Sequence, residues 1–292
     1  MSFPLKRVSN TGPYTRNMPA DTVTGKTVIL ITGAKSGIGK GLLTSYALRH
    51  NTIVIAAIRD GPHSVPGEAL RSLPLGSGSK LIVAKYDASD PKSAVDMAHH
   101  LQSRHDIVKV DTVIASAGIL NHYGFTRDAK VEDLTDHFKI NTLAPILLYQ
   151  AFRDLLQRAE EPKLFIISST LGSNALQDEW NFPFLAYGMS KAAVNFAAGR
   201  MHREEDKIAV VSVHPGECFA AAHDMPFSDV LSTGWVHTAM GEQAARYIDF
   251  DPNEIPTSID ESVSDLMQFF DQVTKKEHRG GFHDQKGHSI PW

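Results

Sequence analysis

From residue 26 onward the chain alternates short, almost wholly apolar runs with longer stretches of helical composition. Residues 27–32 (TVILIT), 52–57 (TIVIAA), 81–84 (LIVA), 112–115 (TVIA), 164–168 (LFIIS) and 208–213 (IAVVSV) are rich in β-branched residues and predict strands. They are continuous rather than alternating, as expected where helices cover both faces of a parallel sheet. Residues 39–49, 91–104, 131–158 and 187–204 predict the main helices. Residues 59–80 form a Pro/Gly/Ser-rich surface connection with one short helix near 68–73. The pattern predicts an α/β fold: one Rossmann-type, doubly wound parallel sheet of about seven strands, with helices on both faces.

No shift of composition marks a second domain, so 26–292 reads as a single unit behind an extension at 1–25. That extension carries Lys6, Arg7 and Arg16 and no acid before Asp21. Pro4, Gly12, Pro13 and Pro19 break any long amphipathic helix, so a flexible tail is expected rather than a targeting peptide. The 292 residues are 42% hydrophobic and 21% charged, ordinary for a globular chain with a sizeable core. A net charge of −4 with no basic run argues against a nucleic-acid partner. No apolar stretch reaches the roughly 20 residues that cross a bilayer. A single cysteine, Cys218, rules out an internal disulfide and a cysteine-rich zinc site, and no metal is expected. Together these features point to the cytoplasm.

The first strand runs into Thr32-Gly33-Ala34-Lys35-Ser36-Gly37-Ile38-Gly39 and then a helix. Glycines in such a turn let the backbone bend and approach a pyrophosphate at the helix N-terminus. The second strand ends at Ile58-Arg59-Asp60 rather than on the acid that accepts an NAD ribose hydroxyl. Arg59 and Lys35 are placed to bracket a 2′-phosphate, which favours NADP(H) over NAD(H). Asp87, after the third strand, is a candidate adenine contact.

Tyr187 and Lys191 stand four apart at a helix start, hence on one face. A phenol is a poor acid–base group at neutral pH, and a nearby cation favours its phenolate. The spacing alone is close to chance in a chain with 7 tyrosines, so it needs company. Ser168-Ser169-Thr170-Leu171-Gly172 leaves the fifth strand at the carboxyl edge where such sheets bind ligands. Asn141 sits in mid-helix at a small local cost of the kind accepted at functional sites.

The order of these elements resembles the short-chain dehydrogenase/reductase family over residues 26–292. The matching elements are the TGxxxGIG turn at 32–39, Asn141, the Ser-Ser-x-x-Gly turn, YxxxK at 187–191 and His214-Pro215-Gly216. Lys191-Ala192-Ala193-Val194-Asn195 and the ending Ser289-Ile290-Pro291-Trp292 are similar to the C-factor/sniffer-like carbonyl reductase branch, which includes fungal ketoreductases. The resemblance implies NADPH-dependent reduction of a ketone or aldehyde. Tyr187 would be the general acid, Lys191 would hold the nicotinamide ribose and depress the tyrosine pKa, Ser169 would orient the carbonyl, and Asn141 would anchor a relay water. It also implies that Gly33, Lys35, Ser36, Gly37, Ile38, Gly39, Arg59, Asp87, Ala117, Gly118, Pro215, Gly216 and Thr238 join Asn141, Tyr187 and Lys191 along the cofactor. A homodimer or homotetramer through the long helices is implied too.

Three departures from the family pattern stand out. The Asn-Asn-Ala-Gly expected after the fourth strand is Ala115-Ser116-Ala117-Gly118. The gap from Ser169 to Tyr187 is long, which leaves Ser173 as a rival for the serine role. Residues 217–234 separate His214-Pro215-Gly216 from Trp235-Val236-His237-Thr238-Ala239-Met240, which the family normally joins directly. That segment is either a lid over the nicotinamide or an intron translated in frame. Codons open to Gly216-Glu217-Cys218 and Thr233-Gly234 include donor-like GTGAGT and acceptor-like ACAG, which favours the intron. With the segment present, Thr238 is expected to reach the cofactor poorly.

Trp180, Phe182 and Phe184, with Leu120-Asn121-His122-Tyr123 near the same mouth, suit an apolar or aromatic small-molecule ketone, or simply pack their loop. A secondary-metabolite ketone fits the fungal resemblance. Two other classes remain: a non-catalytic NADP(H)-binding or sensor protein, and an inactive subunit disrupted by 217–234.

Overall fold

The computed structural model describes residues 25–177, 182–216, 234–278 and 280–292. The extension at 1–24 and residues 217–233, which hold nearly all of the suspected insertion, lie outside them. Seven parallel strands form one sheet, in the order β3-β2-β1-β4-β5-β6-β7. The strands are β1 (Thr27–Thr32), β2 (Thr52–Ile58), β3 (Lys80–Lys85), β4 (Thr112–Ala115), β5 (Lys163–Ile167), β6 (Ala209–Val213) and β7 (Phe282–His283). Between them run α1 (Gly37–Ala47), α2 (Val65–Arg71), α3 (Ser93–His105), α4 (Val131–Phe138), α5 (Ala144–Gln157), α6 (Leu185–Glu204), α7 (Ala239–Tyr247) and α8 (Ile259–Gln272).

The apolar strands bury both faces, and their period of two divides the core. Val28, Leu30, Ile53, Ile55, Val113 and Leu164 face α3, α5 and α6, meeting Leu101, Phe152 and Val194. Ile29, Ile31, Val54, Ile114, Phe165 and Val211 face α1 and α8, meeting Leu42, Leu266 and Phe270. Phe165 and Phe270 stack at 3.8 Å between ring centroids. Each such side chain contributes about 1.5–3 kcal/mol by leaving water.

The chain steps outward from β1 to β3, then returns to pair β4 with the other side of β1. That reversal opens a crevice beyond the carboxyl ends of β1 and β4, where sheets of this kind bind ligands. Three boundaries differ from expectation in ways that shape this crevice. β5 ends at Ile167, which frees Ser168 for the turn. α6 begins at Leu185, so Tyr187 lies inside its first turn. The single helix expected over 131–158 is interrupted by a π-helical turn at Lys139–Leu143, which carries Asn141. Inserted turns of this type are frequent at functional sites. β7 escaped the sequence reading because two residues carry no periodicity.

Candidate active site

A cavity of about 520 Å³ occupies the crevice. At one end lies the turn after β1. Gly33 has φ +66°, and a methyl group there would come within 3.0 Å of the Ala117 backbone. A methyl on Gly39 would stand 2.5 Å from the Gly33 carbonyl oxygen. Only glycine lets these strands of backbone lie so close. The Thr32 hydroxyl accepts from the backbone N–H groups of Ser116 (3.1 Å) and Ala117 (3.0 Å), tying the end of β1 to the loop after β4. The replaced asparagines of that loop are therefore not needed to hold it.

Ser36 precedes α1 without capping it by its side chain, and the first turn of the helix carries no acid. Its N–H donors thus face the cavity unneutralised, a ready anion site. Lys35, Arg59 and Asp87 line the same end. Lys35 is paired with Asp60 at 2.6 Å, while Arg59 is exposed. The Asp87 carboxylate accepts from the Ser89 N–H (2.9 Å) and hydroxyl (2.7 Å), which, with the backbone bond first, hold its pKa below the ordinary carboxylate value. Anion donors, cations and a carboxylate along one groove fit a phosphorylated dinucleotide.

At the other end Tyr187, Lys191 and Ser169 share the cavity wall. The Lys191 ammonium donates to the Ile167 carbonyl at 2.8 Å and lies 5.4 Å from the Tyr187 ring centroid. Burial dominates both groups. It pushes the phenol up to about 12, against the smaller lowering effect of the Ser169 hydroxyl, and pushes Lys191 down to about 8. The depression of the tyrosine expected from Lys191 does not show among the causes of this shift, which burial sets, and Tyr187 keeps its proton at neutral pH.

Ser169 opens a 3₁₀ turn, its hydroxyl accepting from the Leu171 N–H at 3.3 Å. The buried imidazole of His214 accepts from the Thr170 N–H through Nδ1 at 3.4 Å. Burial drives the His214 pKa down to about 4, with Asp284 and the Gly234 carbonyl acting the other way. Behind the wall, Asn141 is 1% exposed. Its Oδ1 accepts from Ile119 N–H (2.8 Å), and its Nδ2 donates to Ile119 O (2.9 Å) and the Ser190 hydroxyl (3.0 Å). Ser190 in turn donates to the Tyr187 carbonyl at 2.7 Å. The π turn is thereby bolted to the turn of α6 that carries Tyr187.

A family model described as short chain dehydrogenase matches residues 27–227. The chain belongs to the short-chain dehydrogenase family. It is 34% identical over 275 residues to the norsolorinic acid ketoreductase of Dothistroma septosporum, covering 91% of this chain and 93% of that one. The ketoreductase of the same description from Emericella nidulans is 32% identical, covering 91% and 94%. Among solved structures, the NADPH-bound carbonyl reductase from chicken fatty liver is similar with a TM-score of 0.75 and 25% identity, covering 91% and 94%. The carbonyl reductase Sniffer of Drosophila melanogaster shares the fold with a TM-score of 0.73 and 22% identity, covering 91% and 100%. Membership makes the chain an oxidoreductase of small molecules, with keto- and carbonyl reductases among its relatives.

Most of the residues singled out from the sequence meet in this one cavity: Gly33, Lys35, Ser36, Gly37, Ile38, Gly39, Arg59, Asp87, Ala117, Gly118, Ser169, Tyr187, Lys191, Pro215 and Thr238. Asn141 and Gly216 are not on its wall. Gly216 packs instead against the Gly234 carbonyl, so the two ends of the 217–233 segment adjoin. Thr238 was expected to be held off by that segment. It caps α7 by accepting from the Gly241 N–H at 3.1 Å, and its methyl lies 3.5 Å from where a Cβ on Gly37 would stand. Ser173 is turned away, donating to the Pro291 carbonyl at 2.7 Å.

The mouth is apolar. Leu120, Phe184, Tyr187 and Ala244 form a cluster joined by Tyr123, Leu171, Phe182, Trp235, Met240 and Ile248. Tyr123 stacks on Tyr247 at 4.6 Å, while His122 turns to Asp133 at 3.0 Å. Trp180 lies outside the described residues. The contribution of α7 was missed, although Met240, Ala244 and Ile248 recur every four residues and so share a helix face. Thr142, Ser190 and His214 were missed as supports because nothing local marks a long-range hydrogen bond.

Proposed function

We propose that this chain is an NADPH-dependent ketoreductase that reduces an apolar or aromatic ketone, with Tyr187 as the general acid. The observation that carries the reading is a buried, proton-retaining Tyr187 facing Ser169, in one cavity with the anion-binding turn and Lys191. When bound, the dinucleotide supplies hydride. The protein's share begins with Ser169, which orients the carbonyl oxygen toward the phenol. Tyr187 then gives its proton to that oxygen as negative charge develops there. Lys191, fixed by the Ile167 carbonyl, places a positive charge near the ring and stabilises the phenolate left behind. Asn141 acts at one remove, holding the backbone of the Tyr187 turn through Ser190. Leu120, Phe184, Trp235 and Met240 exclude water from this end.

NADP(H) rather than NAD(H) is supported by exposed Arg59 just after β2, with Lys35 on the same end of the cavity able to join it on leaving Asp60. The similarity to fungal ketoreductases supports a secondary-metabolite ketone. We further infer a homodimer or homotetramer. Met189 and Phe196 stand seven apart on one face of α6, and Phe196 is 73% exposed. Adjoining Gly216 and Gly234 suit a removable 217–234 segment, whether insertion or retained intron. The single cysteine suits a reducing cytoplasm.

NADPH oxidation against a panel of aromatic and aliphatic ketones tests the reading. Tyr187→Phe is expected to lower turnover by about a thousand-fold while NADPH binding, read by fluorescence, stays intact. Full turnover in that variant would sink the catalytic assignment. NADPH binding without oxidation of any ketone would favour a sensor, and no binding an inactive subunit.

A further inference from the structure

Between Ser169 and Phe184 the chain leaves the chemistry of the site and returns to it as the aromatic wall. What holds the outgoing stretch is residues 289–292. The Ser173 hydroxyl, itself buried, donates to the Pro291 carbonyl at 2.7 Å, and the Ala175 N–H donates to the Trp292 carbonyl at 2.9 Å. Leu176 is buried against Phe282 and Ile290, and the Trp292 ring lies 6.0 Å from that of Phe282. The segment is itself anchored on β7: Ile290 N–H donates to the Phe282 carbonyl at 2.8 Å, and Ser289 bridges to His283. The returning end is fixed separately, where Gly124 N–H donates to the Pro183 carbonyl at 2.6 Å. None of residues 289–292 lines the cavity.

We propose that residues 289–292 form a strap that positions the substrate side of the cleft. Through Ser173 and Ala175 it fixes residues 173–176, the stretch that leaves Ser169. Ketone binding and orientation depend on it, while dinucleotide binding does not. Ser173 is on this account a positioning residue: its hydroxyl is spent on Pro291, four residues from the serine that faces Tyr187. The proposal rests on the ketoreductase reading for its kinetic consequences but not for the anchoring itself.

The full chain is compared with a variant lacking Pro291 and Trp292, with Ser173→Ala, Ser173→Thr, Trp292→Ala, and the combination of Ser173→Ala with the deletion. Four quantities are read: NADPH affinity, kcat and KM for the best ketone of the panel, the melting temperature, and amide exchange at 169–177. The deletion is expected to lower kcat/KM about ten-fold, mainly through KM, with NADPH affinity within about two-fold of the parent. Ala175 should lose exchange protection. Ser173→Ala should cost about three-fold alone and nothing further in the deletion, since the two remove one interaction. Ser173→Thr, which keeps the hydroxyl, should restore the parent. Trp292→Ala keeps the carbonyls and tests the ring alone; it should fall between parent and deletion. Unchanged kcat/KM and exchange in the deletion overturn the proposal. So does loss of NADPH affinity in step with melting temperature, which marks a general support of the fold. Additive Ser173→Ala and deletion effects do the same. If the deletion does not fold, the point variants decide. If the full chain oxidises NADPH with no ketone, the ketoreductase reading fails, and exchange at Ala175 still decides the strap.

Discussion

The two halves of the cleft are held by different means. Around β1 and the first turn of α1, shape comes from backbone lying against backbone, with Gly33 against Ala117 and Gly39 against Gly33. Around β5 and α6 it comes from buried polar side chains: Asn141, Ser169, Ser190, Lys191 and His214. At Gly33 and Gly39 the first half has no room for a methyl. The second accepts desolvation of groups that prefer water, which is the cost of keeping chemistry inside a protein. A site assembled this way should fail differently at its two ends, and the variants below probe that contrast.

Lys191→Met gives the largest contrast. Turnover should fall by at least about a hundred-fold, because the phenolate loses its cation. Stability should move the other way. The folded pKa near 8 lies below the ordinary 10.5, so the unfolded chain holds the proton more tightly. The cost is fully present below pH 8 and fades as pH rises toward 10.5. Met keeps the volume without the charge, so at pH 7 the variant should melt about 3 °C higher by calorimetry. A lower melting temperature would show that the lysine's bond to Ile167 outweighs its burial, and the contrast between halves would collapse.

On the backbone side, Gly39→Ala should cost about 3 kcal/mol in urea unfolding and abolish NADPH binding, since the new methyl meets the Gly33 carbonyl with nothing flexible to yield. Its effect should not change between pH 5 and 8. A tolerated alanine would mean that the turn can open, and that the close approach is not what shapes it. Asn141→Ala should cost less, about 2 kcal/mol, by leaving the Ile119 N–H and carbonyl without partners. It should lower kcat through Tyr187 while NADPH affinity is kept. Equal losses of both would place Asn141 on the cofactor side instead.

The same contrast explains how much was legible in the sequence. The backbone of the β1 turn was readable, because glycine placement and the strand–helix order are local. Tyr187, Lys191 and Ser169, which line one cavity, were singled out by motif. Their supports were not. The π turn at Asn141 shifts helix register by one residue, which a hydrophobic pattern over 131–158 averages away. The bond that occupies the Ser173 hydroxyl reaches Pro291, 118 positions away. Lys35 was read as a phosphate ligand, and its pairing with Asp60 across 25 residues was invisible for the same reason. Thr238 reaches the cleft despite the 217–233 segment because Gly216 and Gly234 adjoin, a fact of closure rather than of spacing.

His214 offers the finest test of the polar half, because its charge state alone can be varied. Folded, its pKa is pushed down to about 4 from 6.5, so the unfolded chain binds its proton more readily over that range. Stability is therefore intact above pH 6.5 and is lost as pH falls toward 4. His214→Asn keeps an acceptor for the Thr170 N–H and removes the titration. The parent should lose about 2 kcal/mol more than this variant between pH 7.5 and 5, read by denaturant unfolding at each pH. Buried His202 and His283, whose pKa values are also lowered, leave a residual slope in both proteins, so the difference between them is the quantity to measure. Parallel curves would mean that His214 charges without penalty, with the Gly234 carbonyl and Asp284 compensating its burial. In that event the serine turn would rest on a charged group, and the division between a backbone-built half and a desolvated half would need to be redrawn at β6.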